Sequence, residues 1–298
     1  MLNMTNVEML QSLFRNIVGQ LNAVYDQHES RAVAFMLMES LLQVSQVDIL
    51  ADKDTTFSPQ QRNQLQGMLD RLLRHEPVQY VLGEADFCGL TLKVAPGVLI
   101  PRPETEELVE WVCDDLKNLP SPSIVDVCTG SGCIALALAH RFPDARVRAT
   151  DLSQEALAIA ESNARRLSLP VSFIHADALG DCPFGAEGGQ PLPLFDAVVS
   201  NPPYIRQSER QDMDANVLDF EPEEALFVAD DTPLIFYEAI ARAARARLTP
   251  RGALYFEINS ALGSSVLAML SSLGYAHAEL RQDAYGNDRM VKAAPSFP

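Results

Sequence analysis

The sequence predicts an α/β fold: a doubly wound, mostly parallel sheet with helices on both faces, preceded by a small N-terminal helical bundle. Three observations lead there. Apolar residues in the first 73 positions recur at three- and four-residue spacing with little glycine. After Pro122, short apolar runs alternate with longer amphipathic segments, a pattern that requires right-handed crossovers between parallel strands. A strand, a glycine turn and a helix start follow one another at residues 124–135, with an acid closing the next strand. The expected boundaries are 1–80 for the bundle, 81–103 for a hairpin and link, and 104–298 for the α/β domain.

In the bundle, Leu10, Leu13, Phe14, Ile17, Val18, Leu21 and Val24 form one apolar stripe on a helix. A second stripe runs from about Ala32 to Val44. A third helix opens at Ser58-Pro59-Gln60-Gln61, an N-cap serine, a proline at the first helical position and a capping-box glutamine. It continues through Leu65, Met68, Leu69, Leu72 and Leu73. From Ala85 to Pro96 the pattern is extended around Gly89 and predicts a hairpin. Ile100-Pro101-Arg102-Pro103-Glu104-Thr105-Glu106-Glu107 then fixes the entry to a helix with an acidic first turn. Strands are expected at 123–128, 146–150, 171–176, 194–200 and 252–258, and helices at 132–141, 153–168, 232–248 and 261–273. A closing pair, 275–282 and 289–293, is joined by the turn Tyr285-Gly286-Asn287-Asp288 and adds an antiparallel strand. Gly180–Pro193 reads as a loop.

Composition bounds the function. The chain has 298 residues, of which 47% are hydrophobic and 21% charged, the profile of an ordinary globular protein. With 23 Lys+Arg against 40 Asp+Glu the formal charge is -17, which disfavours nucleic-acid and anionic-membrane partners. The five cysteines (Cys88, Cys113, Cys128, Cys133, Cys182) are odd in number and form no CxxC pair, so neither a metal site nor a disulfide framework is expected. The first twenty residues are apolar only at intervals and predict no secretory leader. The longest helical apolar run, Cys133 to Ala139, is far too short for a bilayer, and a cytoplasmic protein is expected. None of the five histidines (28, 75, 140, 175, 277) is assigned chemistry.

The first candidate site is Asp126-Val127-Cys128-Thr129-Gly130-Ser131-Gly132. Small residues here let backbone approach a ligand. Asp151, 19 residues beyond Gly132, stands where an acid holds a ribose hydroxyl in doubly wound nucleotide folds. A dinucleotide fingerprint reads GxGxxG, whereas this turn reads Cys-x-Gly-x-Gly behind an acid. Asp126 is placed to hold an amino group such as that of the methionine moiety of S-adenosylmethionine, which has no pyrophosphate to cradle. Asp177, after the third strand, is either an adenine contact or a plain surface carboxylate.

The second candidate site is Asn201-Pro202-Pro203-Tyr204, directly after the strand ending at Ser200. Asparagine before proline is held extended, and the two prolines offer no N–H. The loop therefore presents acceptors, the Asn201 side-chain oxygen and the Pro202 carbonyl, suited to a planar NH2 group, with Tyr204 as a flat wall. An amide nitrogen shares its lone pair with its carbonyl and is a poor nucleophile. Two acceptors that hold its hydrogens out of plane restore that lone pair.

Together with the segment Ile100–Glu106, Asn216-Val217-Leu218-Asp219-Phe220-Glu221-Pro222 and Tyr285-Gly286-Asn287-Asp288-Arg289, these residues resemble the protein-(glutamine-N5) methyltransferases that modify peptide chain release factors. The resemblance covers about residues 70–293. It implies a seven-stranded, Rossmann-like, S-adenosylmethionine-dependent methyltransferase domain behind a helical domain that grips the substrate. The methylated residue it implies is the glutamine of the release factors' Gly-Gly-Gln motif. Carried over by position, Asp126, Cys128, Thr129, Gly130, Ser131, Gly132, Asp151, Asp177 and Ala178 bind the cofactor, Asn201 touches both ligands, and Asn201, Pro202, Pro203 and Tyr204 hold the substrate glutamine, with Asn201, Pro202 and Tyr204 catalytic.

The sequence departs from that pattern twice. Cys128 replaces a glycine, which predicts a position needing less backbone freedom, and Ala178 replaces an aromatic beside the adenine in some members. Arg102, Thr105 and Glu106 either line the site or simply open a helix, and Glu257 reads as structural. Gly188-Gly189-Gln190 is a chance copy of the substrate motif or a self-methylation site. Methylation of a ribosomal-protein glutamine, adenine-N6 methylation of DNA and non-catalytic cofactor binding are the competing readings; the charge and the absence of a target-recognition domain weigh against DNA.

Overall fold

The computed structural model describes residues 7–185 and 192–295, so Gly188-Gly189-Gln190 lies outside the described residues. The chain forms two units. The smaller takes the chain up to Gly83 together with Asp214–Phe220; the larger takes Glu84–Met213 and the chain from Glu221.

The smaller unit is helical: Leu10–Leu21, Gln27–Leu42, Gln46–Leu50, Pro59–Leu72 and Val78–Leu82, with a two-stranded antiparallel ribbon of Val7–Met9 and Asp54–Thr56. Ile17, Leu21, Ala34, Leu37, Ile49 and Leu72 are wholly buried in its core. The second helix starts five residues before the expected stripe because Asp26 caps it, its carboxylate accepting from the amides of His28 (2.7 Å) and Glu29 (2.8 Å). The two five-residue helices are too short to show periodicity. One is fixed by a capping box of Ser45 and Asp48. The other is held by Arg71, which pairs with Glu76 and donates to the carbonyls of Tyr80 (2.9 Å) and Val81 (3.2 Å). Ser58 and Gln61 form the expected capping box of Pro59–Leu72.

The larger unit is built on a seven-stranded sheet. Its strands, numbered in chain order, are β1 (Ser123–Val127), β2 (Arg146–Asp151), β3 (Val171–His175), β4 (Phe195–Ser200), β5 (Leu248–Glu257), β6 (Tyr275–Gln282) and β7 (Asp288–Pro295). They lie in the order β6-β7-β5-β4-β1-β2-β3. The first five are parallel, and β7 inserts antiparallel between β5 and β6. Residues along each strand alternate between two cores. Ile124, Ala197, Val199 and Tyr255 face one with the helices Pro103–Leu116 and Cys133–Arg141, while Val125, Val198, Leu254 and Phe256 face the other with Ile235–Arg245 and Gly263–Ser272. The doubly wound expectation is met by this alternation. β5 begins before the expected 252, since Pro250 and Gly252 interrupt its apolar run at a register shift.

The hairpin Glu84–Phe87 and Leu90–Lys93 is part of the larger unit's body rather than a link, with Phe87, Leu90 and Leu92 buried beside Leu108 and Val112. Asn163 clamps it: its side chain accepts from Lys93 N (2.7 Å) and donates to the carbonyls of Lys93 (3.0 Å) and Ser131 (3.1 Å).

Ser58→Ala removes the hydroxyl that accepts from Gln61 N, leaving that helix-start amide without its cap, and is expected to destabilise the helical unit by about 1 kcal/mol. Urea unfolding followed by circular dichroism measures this, with Ser58→Asp retaining most of the stability.

Candidate functional site

The order of the sheet reverses between β1 and β4, the position at which open α/β sheets bind ligands beyond their carboxyl ends. There Val127 pairs with Ser200, and the Ser200 hydroxyl donates to the Val127 carbonyl at 2.6 Å. Cys128 and Asn201 therefore leave adjacent strands side by side. This register joins the two sequence candidates.

The turn after β1 is left-handed at Cys128 (φ +61°), Gly130 (+55°) and Gly132 (+84°). The expectation that Cys128 needs less backbone freedom is thus corrected. It bears the same conformation as the glycines, at a cost of about 1–2 kcal/mol for an L-residue. At Gly132 the glycine is doubly required, since a Cβ would lie 3.0 Å from Ala160 Cβ. The Thr129 hydroxyl donates to Asp126 Oδ2, which also accepts from Ala135 N at 3.2 Å. Gly130 N donates to Asp151 Oδ2 at 2.8 Å, and Ser153 N to Oδ1 at 2.8 Å.

A cleft of about 990 Å³, open to solvent, lies over these strand ends. Of the residues singled out from sequence, Cys128, Thr129, Gly130, Ser131, Asp151, Asp177, Ala178, Asn201 and Pro203 line it. Asp126, Gly132, Pro202 and Tyr204 do not. Asp126 is wholly buried beneath the turn, so it shapes the loop from below. Tyr204 donates its hydroxyl to buried Glu257 Oε1 at 3.0 Å. Asp177 lines the cleft while its Oδ1 closes a local turn with Leu179 N (2.8 Å).

Arg102 and Thr105 line the cleft; Glu106 instead accepts from Cys88 N (2.8 Å) in the hairpin turn. Arg102 pairs with buried Glu221, which also accepts from Ile100 N at 3.0 Å. Glu257 is buried at the end of β5 and accepts from Thr105 Oγ1 at 2.6 Å. Sequence reading missed Phe236, which brings an aromatic ring to the cleft that Ala178 does not, and Glu221 as the anchor of Arg102. Phe236 belongs to a helix whose apolar pattern reads only as core. Glu221 stands in a segment that carries the resemblance, but nothing local in the sequence pairs it with Arg102, 119 residues away.

Burial dominates the electrostatics. Desolvation pushes Asp126 up to about 7, against the lowering effect of its bonds to Thr129 and Ala135. Asp151 and Glu257 are raised for the same reason. The Cys128 thiol is pushed up by desolvation and by Asp151 and Asp126, which makes it a neutral neighbour rather than a nucleophile.

These groups fit S-adenosylmethionine. Ser131, which lines the cleft, has a buried Oγ with no hydrogen-bond partner among the described residues, the condition a bound polar ligand relieves. Asp151 keeps lone pairs for a diol, and Ala178 and Phe236 offer apolar surface.

Comparison with known proteins agrees with this geometry. A family model described as the PrmC N-terminal domain matches residues 12–83, and one described as the methyltransferase small domain matches residues 107–220. A release factor glutamine methyltransferase of Bacteroides thetaiotaomicron is 43% identical over 273 residues, 92% of this chain and 95% of that protein. The protein of that name from Flavobacterium psychrophilum is 39% identical over 278 residues, again 92% and 95%. That from Streptococcus pneumoniae is 36% identical over 284 residues, 95% of this chain and 97% of its own. Among solved structures, the hMettl16 catalytic domain in complex with a MAT2A 3′UTR hairpin superposes with a TM-score of 0.54 at 13% identity, covering 82% of this chain and 85% of that one. A T. thermophilus 16S rRNA methyltransferase in complex with AdoMet and guanosine gives 0.50 at 18%, covering 72% and 50%. These two show the fold.

Two outcomes follow from the turn. Gly132→Ala combines a left-handed strain with the Ala160 overlap and is expected to cost about 2 kcal/mol of stability, with weaker cofactor binding, by thermal melts with and without S-adenosylmethionine. Because the folded protein holds the Asp126 proton more tightly than the unfolded chain, its contribution to stability is present at low pH and is lost as pH rises from about 4 toward 7. Asp126→Asn keeps an oxygen for Thr129 and Ala135 and should flatten that slope in urea titrations across the same range.

Proposed function

The chain belongs to the release factor glutamine methyltransferase family and is an S-adenosylmethionine-dependent methyltransferase, and from that premise we propose that it methylates the side-chain nitrogen of the glutamine in the Gly-Gly-Gln motif of peptide chain release factors. The observation that carries the reading is the position of Asn201: it borders the cofactor cleft, one residue past the strand end that pairs with the cofactor turn.

When bound, S-adenosylmethionine supplies a methyl group on a sulfonium, open to in-line attack by a nitrogen. The chain's own residues have three tasks in this reading. Asp151 and the turn of Cys128 to Gly132 hold the cofactor, with Ser131 offering a hydroxyl and Ala178 and Phe236 apolar walls. Asn201 Oδ1 and the Pro202 carbonyl accept the two hydrogens of the glutamine NH2. They bend those hydrogens from the amide plane and return the lone pair to nitrogen. One N–C bond forms, and the proton then leaves along a hydrogen bond already made, so no dedicated base is required. Burial keeps Cys128 a thiol, so it does not compete for the methyl group. The helical unit is the grip on the release factor, and the charge of -17 weighs against a nucleic-acid acceptor.

Incubation of the protein with S-adenosylmethionine and a release factor, followed by peptide mass spectrometry, should place the mass of one methyl group on the motif glutamine. Asn201→Ala is expected to lower turnover by about 100-fold or more while cofactor binding is only weakened. Full turnover in that variant contradicts the role of Asn201.

A further inference from the structure

A side-chain amide is nearly symmetric in shape but opposite in polarity at its two ends, so an asparagine that must present an acceptor needs something to fix which way it faces. Asn201 has such a device. Its Nδ2 donates to Thr105 Oγ1 at 3.3 Å, and Thr105 Oγ1 donates to Glu257 Oε2 at 2.6 Å. Thr105 and Glu257 are 2% and 1% exposed, so water does not replace these bonds. The second carboxylate oxygen accepts from the Tyr204 hydroxyl at 3.0 Å. Burial raises the Glu257 carboxyl above its ordinary value, while its bonds from Thr105 and Tyr204 and the charge of Arg289 act against that and favour the ionised form. The Tyr204 carbonyl is held in turn by Asn259 Nδ2 at 3.1 Å, which also donates to Glu209 at 2.9 Å.

We propose that Thr105 and Glu257 are positioning residues that set the polarity of Asn201, leaving its Oδ1 as the end available to the substrate. A carboxylate only accepts, and a hydroxyl has one hydrogen. Glu257 takes that hydrogen from Thr105, so the Thr105 oxygen has only lone pairs left for Asn201. Only the NH2 end of Asn201 satisfies them. The opposite orientation would set oxygen against oxygen at Thr105 and turn two donors toward a substrate NH2 that needs acceptors. Glu257, from β5, thereby acts on a residue at the end of β4 through a hydroxyl on the helix Pro103–Leu116. The proline loop and the Ile100–Glu106 segment, far apart in sequence, become parts of one device.

The inference rests on the proposed glutamine acceptor, and its test separates the two. Thr105→Val keeps the side-chain volume and removes the hydroxyl; Thr105→Ser keeps the hydroxyl. Glu257→Gln, a second route, offers an NH2 to Thr105 and frees the hydroxyl hydrogen to bond Asn201 Oδ1, which reverses the amide. Turnover on a release factor, cofactor Kd by calorimetry and melting temperature are measured for each. Thr105→Val and Glu257→Gln are expected to lower kcat by about tenfold, the scale of one lost hydrogen bond, with cofactor Kd and substrate KM within twofold of the wild type. Thr105→Ser restores most of the kcat lost in Thr105→Val. The inference is overturned if Thr105→Val and Glu257→Gln keep the wild-type kcat while Asn201→Ala loses it. It is equally overturned if Ser and Val at 105 lose kcat alike, or if the loss appears wholly in cofactor Kd. A wild-type chain that leaves the release-factor glutamine unmodified fails the functional reading itself, and the inference with it.

Discussion

Two parallel strands that share no sequence neighbourhood, β1 and β4, pair so that Val127 and Ser200 end together, and the Ser200 hydroxyl closes the pair on the Val127 carbonyl. The register leaves no freedom: a slip of one residue would turn Val125 and Val198 from one core into the other. Because it is fixed by burial on both faces, the residue after each strand is also fixed. Cys128 starts the glycine turn and Asn201 starts the proline loop, side by side at the carboxyl edge of the sheet. The remainder of the site, from the Gly130–Asp151 bond to the Thr105–Glu257 chain, elaborates this one placement.

Around those ends the protein maintains polar groups in positions that cost stability. Asp126 is buried with one oxygen unpartnered, Glu257 is buried on two hydroxyls, Glu221 is buried against Arg102, and Cys128 holds a left-handed backbone. Each carries a desolvation or backbone cost that its local partners offset only in part, and their concentration around these strand ends is the signature of preorganised function. The direction of the hydrogen bonds gives these groups meaning. Asp126 receives from Thr129 and Ala135 and so ties the turn to its helix, while Glu257 receives from Thr105 and Tyr204 and ties the Asn201–Tyr204 loop to the helix Pro103–Leu116.

Much of this was legible in the residues. The alternation after Pro122, the Ser58 cap, the small-residue turn after the first sheet strand and the Asn201–Pro203 corner follow from local rules, and local rules read one segment at a time. What escaped depended on partners distant in sequence. The Cys128 conformation is imposed by the Gly130–Asp151 and Thr129–Thr150 bonds, which no side-chain propensity reveals. Glu257 reads as an ordinary strand end until Thr105 and Tyr204 are brought to it from 152 and 53 residues away. The segment between Tyr204 and Leu234 holds elements of two to six residues, too short for any period to show, yet it supplies Glu221. Tyr204 illustrates the reverse: its ring suits a wall, but its hydroxyl found a buried carboxylate.

The central claim is that the acceptor end of Asn201 receives the substrate carboxamide beside the cofactor turn. A crystal structure of the chain with S-adenosylhomocysteine and a Gly-Gly-Gln peptide tests it most directly. The account predicts the glutamine nitrogen at roughly 2.7–3.2 Å from Asn201 Oδ1, with Nδ2 still on Thr105. A glutamine seated elsewhere, or bound to a reversed Asn201 amide, would contradict it.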